Sequence, residues 1–251
     1  MTISELLTAL ALPENARVDK RIPKKLLLDS GVPTSADKRL IHDGIAEMSW
    51  LAALKPSNIG VAEVRGGEHD YIEIAVVSAQ FNQSARGTRL IELFHRAIPY
   101  PLVLLSAQEG AVTLSLAHKR ASKAESEQVV LDGELTTAVF DPGAITESEK
   151  AFLISLSLSS QPSANLFTLY RGWMDKASAL SAARITGKFS VGDTCREDAR
   201  RSALAEYYNL QVEISALRGQ VEKETQLNHR VDMNLKIQRM EVRVGQVKDL
   251  L

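Results

Sequence analysis

Arg17-Val-Asp-Lys-Arg-Ile-Pro-Lys-Lys25 is the first stretch whose residue types could do chemistry, because five of its nine residues, Arg17, Lys20, Arg21, Lys24 and Lys25, are cationic. Cations at this density can hold phosphate oxygens and release counterions, which gives salt-sensitive contact without base readout. Asp19 and nearby acids dilute the field, so a solvated face is the alternative reading. His118-Lys119-Arg120, with Lys123 close behind, offers a second cationic patch at the end of an expected hairpin. Lys119 and Arg120 join the candidate phosphate contacts.

Carboxylates give the next test. Restriction-type endonucleases place an acid on one strand and an acid-x-Lys on the next, so that carboxylates bind Mg²⁺ and the lysine orients water. The order helix, hairpin, helix, strand expected here is close to their core. Glu63 and Asp70 precede Glu73-Ile-Ala75, but Ala75 stands where the lysine belongs. A divergent nuclease using Glu63, Asp70 and Glu73 is therefore kept only as an alternative, and no catalytic residue is expected. His42, His69, His95, His118 and His229 are scattered, and none forms a zinc spacing with Cys195 or another histidine. They are expected to be structural or exposed, with no metal bound. Thr186-Gly-Lys-Phe-Ser190 lacks the upstream glycine and strand of a phosphate loop, and the serine run Ile154–Ser160 lacks the glycine elbow of a hydrolase. No cofactor is expected.

The elements that must position these residues follow from periodicity. Ile3, Leu6, Leu7 and Leu10 make one helical face closed by Pro13, and Pro23 favours extended backbone before it. Thr34 or Ser35 can cap a helix to about Leu54, with Leu40, Ile41, Ile45, Met48 and Ala52 inward. Val61–Val64 and Tyr71–Val77 read as a hairpin around Gly66-Gly67, Ser84–Ile98 as a helix, and Leu102–Leu105 as a buried strand. Val112–Leu116 alternates as a half-covered strand, and Val129–Leu131 and Thr137–Phe140 read as short edge strands. After Asp141-Pro-Gly143 the pattern is helical, over Glu147–Leu158 and Pro162–Ile185, with a break at Gly187–Asp193.

Residues 198–251 contain no proline and only Gly219 and Gly245. Ala203, Tyr207, Leu210, Ile214, Leu217 and Val221 recur at alternating four- and three-residue steps, and Met233, Ile237, Met240, Val244, Val247 and Leu251 repeat the pattern out of phase. A continuous rod would reach roughly 75 Å, interrupted or changing partner at Glu222–Gln226. Its apolar seam must be covered by another copy, a foreign helix or the chain's own helices between Glu147 and Ile185, and the expected cover is intermolecular, with Tyr207, Leu210, Ile214, Leu217, Val221, Met233, Ile237, Met240, Val244 and Val247 as partner-binding residues. The expected fold class is α+β: a mixed α/β sheet domain over residues 1–142, a helical linker region over 143–192, and a long coiled-coil-forming helix over 193–251.

The totals exclude several classes. Across 251 residues the hydrophobic share of 45% and charged share of 24% are those of an average globular protein. Aromatics at 5% argue against a base-stacking platform, and a net charge of −1 leaves nucleic acid only a local patch. The single cysteine, Cys195, fits a reducing compartment. With neither an apolar leader nor a span-length apolar run, the expected location is cytoplasmic, away from membrane.

At Val18-Asp-Lys-Arg-Ile-Pro-Lys-Lys25, Ile45-Ala-Glu-Met-Ser-Trp-Leu-Ala-Ala-Leu54 and Arg96-Ala-Ile-Pro-Tyr-Pro-Leu-Val103, the chain resembles an uncharacterised bacterial family, a domain of unknown function. Its members are typically encoded beside helicases and DNA methyltransferases of restriction or phage-defence type. The resemblance implies a setting, not a mechanism. The expected role is a non-catalytic accessory subunit of a DNA-targeting defence complex, with a helicase or methyltransferase subunit as protein partner and DNA as a further one. A homo-oligomeric scaffold is the remaining alternative.

Overall fold

The computed structural model describes residues 1–30, 34–66, 69–121, 129–192 and 194–251. They form two compact units, Met1–Ala177 and Ser178–Leu251. The fold class is α+β: a mixed sheet followed by helices.

The first unit is built on six strands in sequence order: β1 (Arg17–Arg21), β2 (Ile45–Leu54), β3 (Ile74–Phe81), β4 (Leu102–Gln108), β5 (Ala111–Ala121) and β6 (Val129–Phe140). Only β3 and β4 pair in parallel, joined through α5 (Gly87–Ala97); the other neighbours are antiparallel. Parallel pairing requires such a crossover and buries both strand faces, which explains why β3 and β4 are nearly continuous in Val, Leu, Ile and Ala. One face packs on α5 through Leu90 and Phe94, flanked by α2 (Lys25–Asp29) and α3 (Ser35–Gly44). On the other face Phe140 meets Phe152 of α6 (Glu147–Ser155) at 5.8 Å between ring centroids, and α1 (Ile3–Leu10) packs nearby. A one-turn α4 (Pro56–Ile59) and α7 (Leu166–Thr186) complete the order before α8 (Thr194–Val221) and α9 (Leu227–Lys248).

Four expectations are corrected. The single helix from Ser35 to Leu54 is α3 followed by strand β2. Thr34 does cap it, in a reciprocal box with Asp37. Register shifts at Ile45/Glu47 and Trp50/Ala52 bulge β2, so inward residues fall at Ile45, Met48 and Ala52, a spacing that imitates a helix. The hairpin before β3 shrinks to one bridge, Val64 to Tyr71, and the two short edge strands are one strand, β6. The helices after Asp141 do not form a separate linker. Leu166 N donates to Ala62 O at 2.8 Å and Trp173 Nε1 to Leu156 O at 2.8 Å, tying α6 and the first part of α7 into the sheet unit.

The long C-terminal rod is likewise corrected. Helix ends at Val221, resumes at Leu227, and α8 and α9 fold back on each other as a hairpin. Their lengths of 28 and 22 residues give about 42 and 33 Å. Ile214, Ile237, Met240 and Val244 are buried between them, with Tyr207, Leu210, Leu217 and Val221 packed alongside. Arg243 forks onto Glu206 at 2.6 and 3.0 Å.

Candidate nucleic-acid interface

β1 is an outer strand, hydrogen-bonded among the described strands to β2 alone. Asp19 adopts φ 45°, and the ladder slips between Arg17 and Lys20, which inserts an extra residue. Asp tolerates this left-handed conformation better than most residues. A bulged, cationic edge resists pairing with another strand, so its free side presents side chains rather than a template for sheet extension.

Four of the five sequence candidates here are exposed: Arg17, Lys20, Arg21 and Lys25. Arg17 faces Asp19 and Arg21 faces Glu47, each at 3.9 Å between exposed groups, pairings worth little in water. Lys20 and Lys25 have no counter-charge within 4 Å among the described residues. Lys24 is committed elsewhere: its Nζ donates to His42 O at 2.7 Å, satisfying a carbonyl in the last turn of α3. That contact sets the start of α2 against the end of α3.

Further exposed cations stand outside this segment. Lys38 and Arg39 are exposed on α3, and Arg86, also exposed, occupies the N-cap position of α5 without a side-chain cap bond. Arg39 and Arg86 line a groove of about 540 Å³ with Asp37, Asp43 and Arg89. The two helices are clamped by Arg89, which donates to both Asp37 carboxylate oxygens at 2.9 and 2.8 Å. Those bonds, with further ones from Thr34, hold the Asp37 carboxyl well below the usual carboxylate range. Arg39 and Arg86 lie far apart in sequence, and only the packing of α3 on α5 unites them.

The second patch is corrected. Lys119 is 3% exposed, and its ammonium donates to Ile98 O and, at 2.6 Å, to Tyr100 O. Burial pushes its pKa down to about 7. Lys119 closes the C-terminal end of α5 and cannot meet a phosphate. Arg120 faces Asp132 at 3.4 Å. Lys123 lies outside the described residues.

Two of the scattered histidines meet. His69 and His118 lie 5.9 Å apart, each stacked on Phe167. His118 Nδ1 accepts from the Tyr71 hydroxyl at 2.5 Å, and His69 Nδ1 donates to Lys119 O at 2.9 Å. Desolvation raises the Tyr71 hydroxyl, so it remains a donor. Beneath them Tyr170 Oη accepts from Ala117 N at 2.9 Å and donates to Leu102 O at 2.7 Å, filling the wedge where β4 and β5 part. His95, fully buried against Ser115 Oγ at 3.0 Å, is held neutral by desolvation. The arrangement ties four elements together. Among the described residues no group of three or more His, Cys, Asp or Glu is placed to hold a metal. Glu63 pairs with Arg65, Asp70 accepts from Gly66 N, and Glu73 pairs with Lys55, so the three nuclease candidates face separate partners.

In the helical unit, Ile214, Ile237, Met240 and Val244 are buried between the two helices of the hairpin, Val247 is also buried, and Met233 is half-buried. The proposed partner seam is therefore internal. Exposed large apolar residues of this unit include Tyr208 and Val212 on α8, and Leu227, Val231, Leu235 and Val242 on α9. Among the described residues no helix is long and apolar enough to cross a membrane.

No curated protein and no solved structure matches the chain. Residues 10–244 match the family described as a domain of unknown function, DUF4391. That match covers both the sheet unit and most of the helical hairpin, so the chain belongs to the DUF4391 family.

Proposed function

We propose that this chain is a non-catalytic accessory subunit that lays a nucleic-acid backbone along the basic edge of its sheet, in a complex of restriction or phage-defence type. The observation that carries the reading is the bulged outer strand β1, where Lys20 and Arg21, followed by Lys25, stand exposed with at most a distant counter-charge. Lys38 and Arg39 on α3 and Arg86 at the start of α5 add further exposed cations to the same unit. Such contacts position a backbone and carry no sequence information. A helicase or methyltransferase subunit is the proposed protein partner, and the outer apolar stripe of α9 supports a protein contact now that the inner seam is covered.

The test is co-purification with the proteins encoded beside it, followed by duplex DNA binding with and without them. Lys20→Glu combined with Lys25→Glu is expected to weaken DNA binding strongly at low salt while leaving co-purification intact. Unchanged DNA binding removes nucleic acid from the proposal. Metal-dependent cleavage lost on Glu73→Gln would replace it with the nuclease alternative.

A further inference from the structure

The sheet offers a second feature at the far end of α5 from Lys119. Where the parallel strands β3 and β4 end, the start of α5 and strands β5 and β6 enclose an open cleft of about 630 Å³. Ligands of open α/β sheets characteristically sit outside the carboxyl ends of parallel strands, and this volume lies within the ordinary range for small-molecule sites.

Its floor changes character abruptly. Along the α5-facing side of β4 the sequence runs Leu102, Leu104, then Ser106. Ser106 is directly opposite Thr113 on β5, and Thr137 on β6 is a diagonal neighbour of Thr113. Ser106 is only 3% exposed, yet its hydroxyl has no hydrogen-bond partner among the described residues and it lines the cleft. A bound group that reaches this hydroxyl gains a hydrogen bond that the described residues do not supply. Above it, α5 begins with no side-chain cap, and Gly87 and Thr88 of its first turn line the same cleft. The wall is preformed. Gly87 lets the Gln108 side chain cross the helix start, where a Cβ would lie 2.3 Å from Oε1, and Gln108 Nε2 holds the preceding loop through Asn82 O and Ala85 O at 3.1 and 2.8 Å.

The lining decides the ligand class. Phe81, Ile91 and Leu135 supply apolar walls, while Glu109 and Asp141 are its charged residues. With two carboxylates and no cation in the lining, a polyphosphate is disfavoured despite the helix terminus. An apolar-walled slot with four hydroxyls, those of Thr88, Ser106, Thr113 and Thr137, suits a flat, uncharged heterocycle carrying its own donors and acceptors. We infer that this cleft is a binding site for a neutral nucleoside-class molecule, with Ser106, Thr113 and Thr137 reading its polar edge. The site lies on β4–β6, away from the outer strand β1, and is independent of the nucleic-acid reading above.

Saturation-transfer NMR on the full chain tests this with adenosine, guanosine, cytidine and uridine, each beside its 5′-triphosphate. At least one nucleoside is expected to bind at submillimolar concentration, more tightly than its triphosphate. Ser106→Ala, which removes one unpartnered hydroxyl and should leave folding intact, is expected to weaken that nucleoside about tenfold. Thr137→Phe, which fills the cleft, is expected to abolish binding, whereas Lys20→Glu should not alter it. Failure of all four nucleosides to bind at millimolar concentration overturns the inference. So does a triphosphate that binds more tightly than its nucleoside, or affinity unchanged in both cleft variants.

Discussion

Tyr170→Phe removes one oxygen from the centre of the sheet unit, and the structure gives that oxygen a specific task. The β4–β5 ladder ends at Leu104 paired with Ser115, and the next groups, Leu102 O and Ala117 N, meet the Tyr170 hydroxyl instead of each other. The side chain is 0% exposed, so no water can take over without rearrangement. Deleting the hydroxyl leaves a buried amide and a buried carbonyl unsatisfied, at about 1–3 kcal/mol each. The ring shape is conserved, so the cavity contribution is small. Partial closure of the ladder would recover some of the loss, giving an expected destabilisation of about 3 kcal/mol. Urea unfolding followed by tryptophan fluorescence measures it, because Trp50 and Trp173, the chain's two tryptophans, both lie in this unit. The midpoint should fall with an unchanged slope. A loss below about 0.5 kcal/mol, the level of an ordinary surface change, would refute the bridging role.

Lys119 makes stability depend on pH at the alkaline end. Its folded value of about 7 lies below the usual lysine value, so the unfolded chain binds more protons between the two, and stability should rise from about pH 7 to pH 10. Lys119→Met should flatten that rise in denaturant titrations at each pH; an identical rise would assign it elsewhere. Asp37 acts at the acid end. Its depressed folded value means the Asp37–Arg89 clamp contributes fully above about pH 4 and is lost as pH falls further. Asp37→Asn should cost about 2 kcal/mol at neutral pH, discounted for the partly exposed Arg89, and should remove the acid-limb slope. Ile237→Ala should cost about 3 kcal/mol within the α8–α9 hairpin. Hydrogen exchange would locate that loss in residues 194–248, and protection lost equally across the sheet would contradict the division into two units.

Residues with a single covered face or a regular repeat were legible in the sequence. α5 and β4 follow from spacing, as does the Thr34 cap, and the break between α8 and α9 falls at the phase change across Glu222–Gln226. β2 was not, because two bulges turned a strand's alternation into helical spacing. The basic segment on β1 was readable because its cations are contiguous. Lys119 was misjudged because pattern gives a lysine no burial: only the fold brings Ile98 O and Tyr100 O to its ammonium. Arg39, Arg86 and the His69–His118 pair depend on contacts between remote segments. The apolar seam was recognised correctly as a surface requiring cover, but sequence periodicity does not distinguish a foreign helix from the chain's own next one.

The salt dependence of DNA binding tests the central claim most directly. Fluorescence anisotropy of a labelled duplex, titrated across a range of ionic strength, gives a slope set by the number of phosphates neutralised. Lys20→Glu, Arg21→Glu and Lys25→Glu together remove three exposed cations of the basic segment, so the slope of log K against log salt should fall by about 2 to 3. A slope identical in the triple variant and the parent chain would contradict the account.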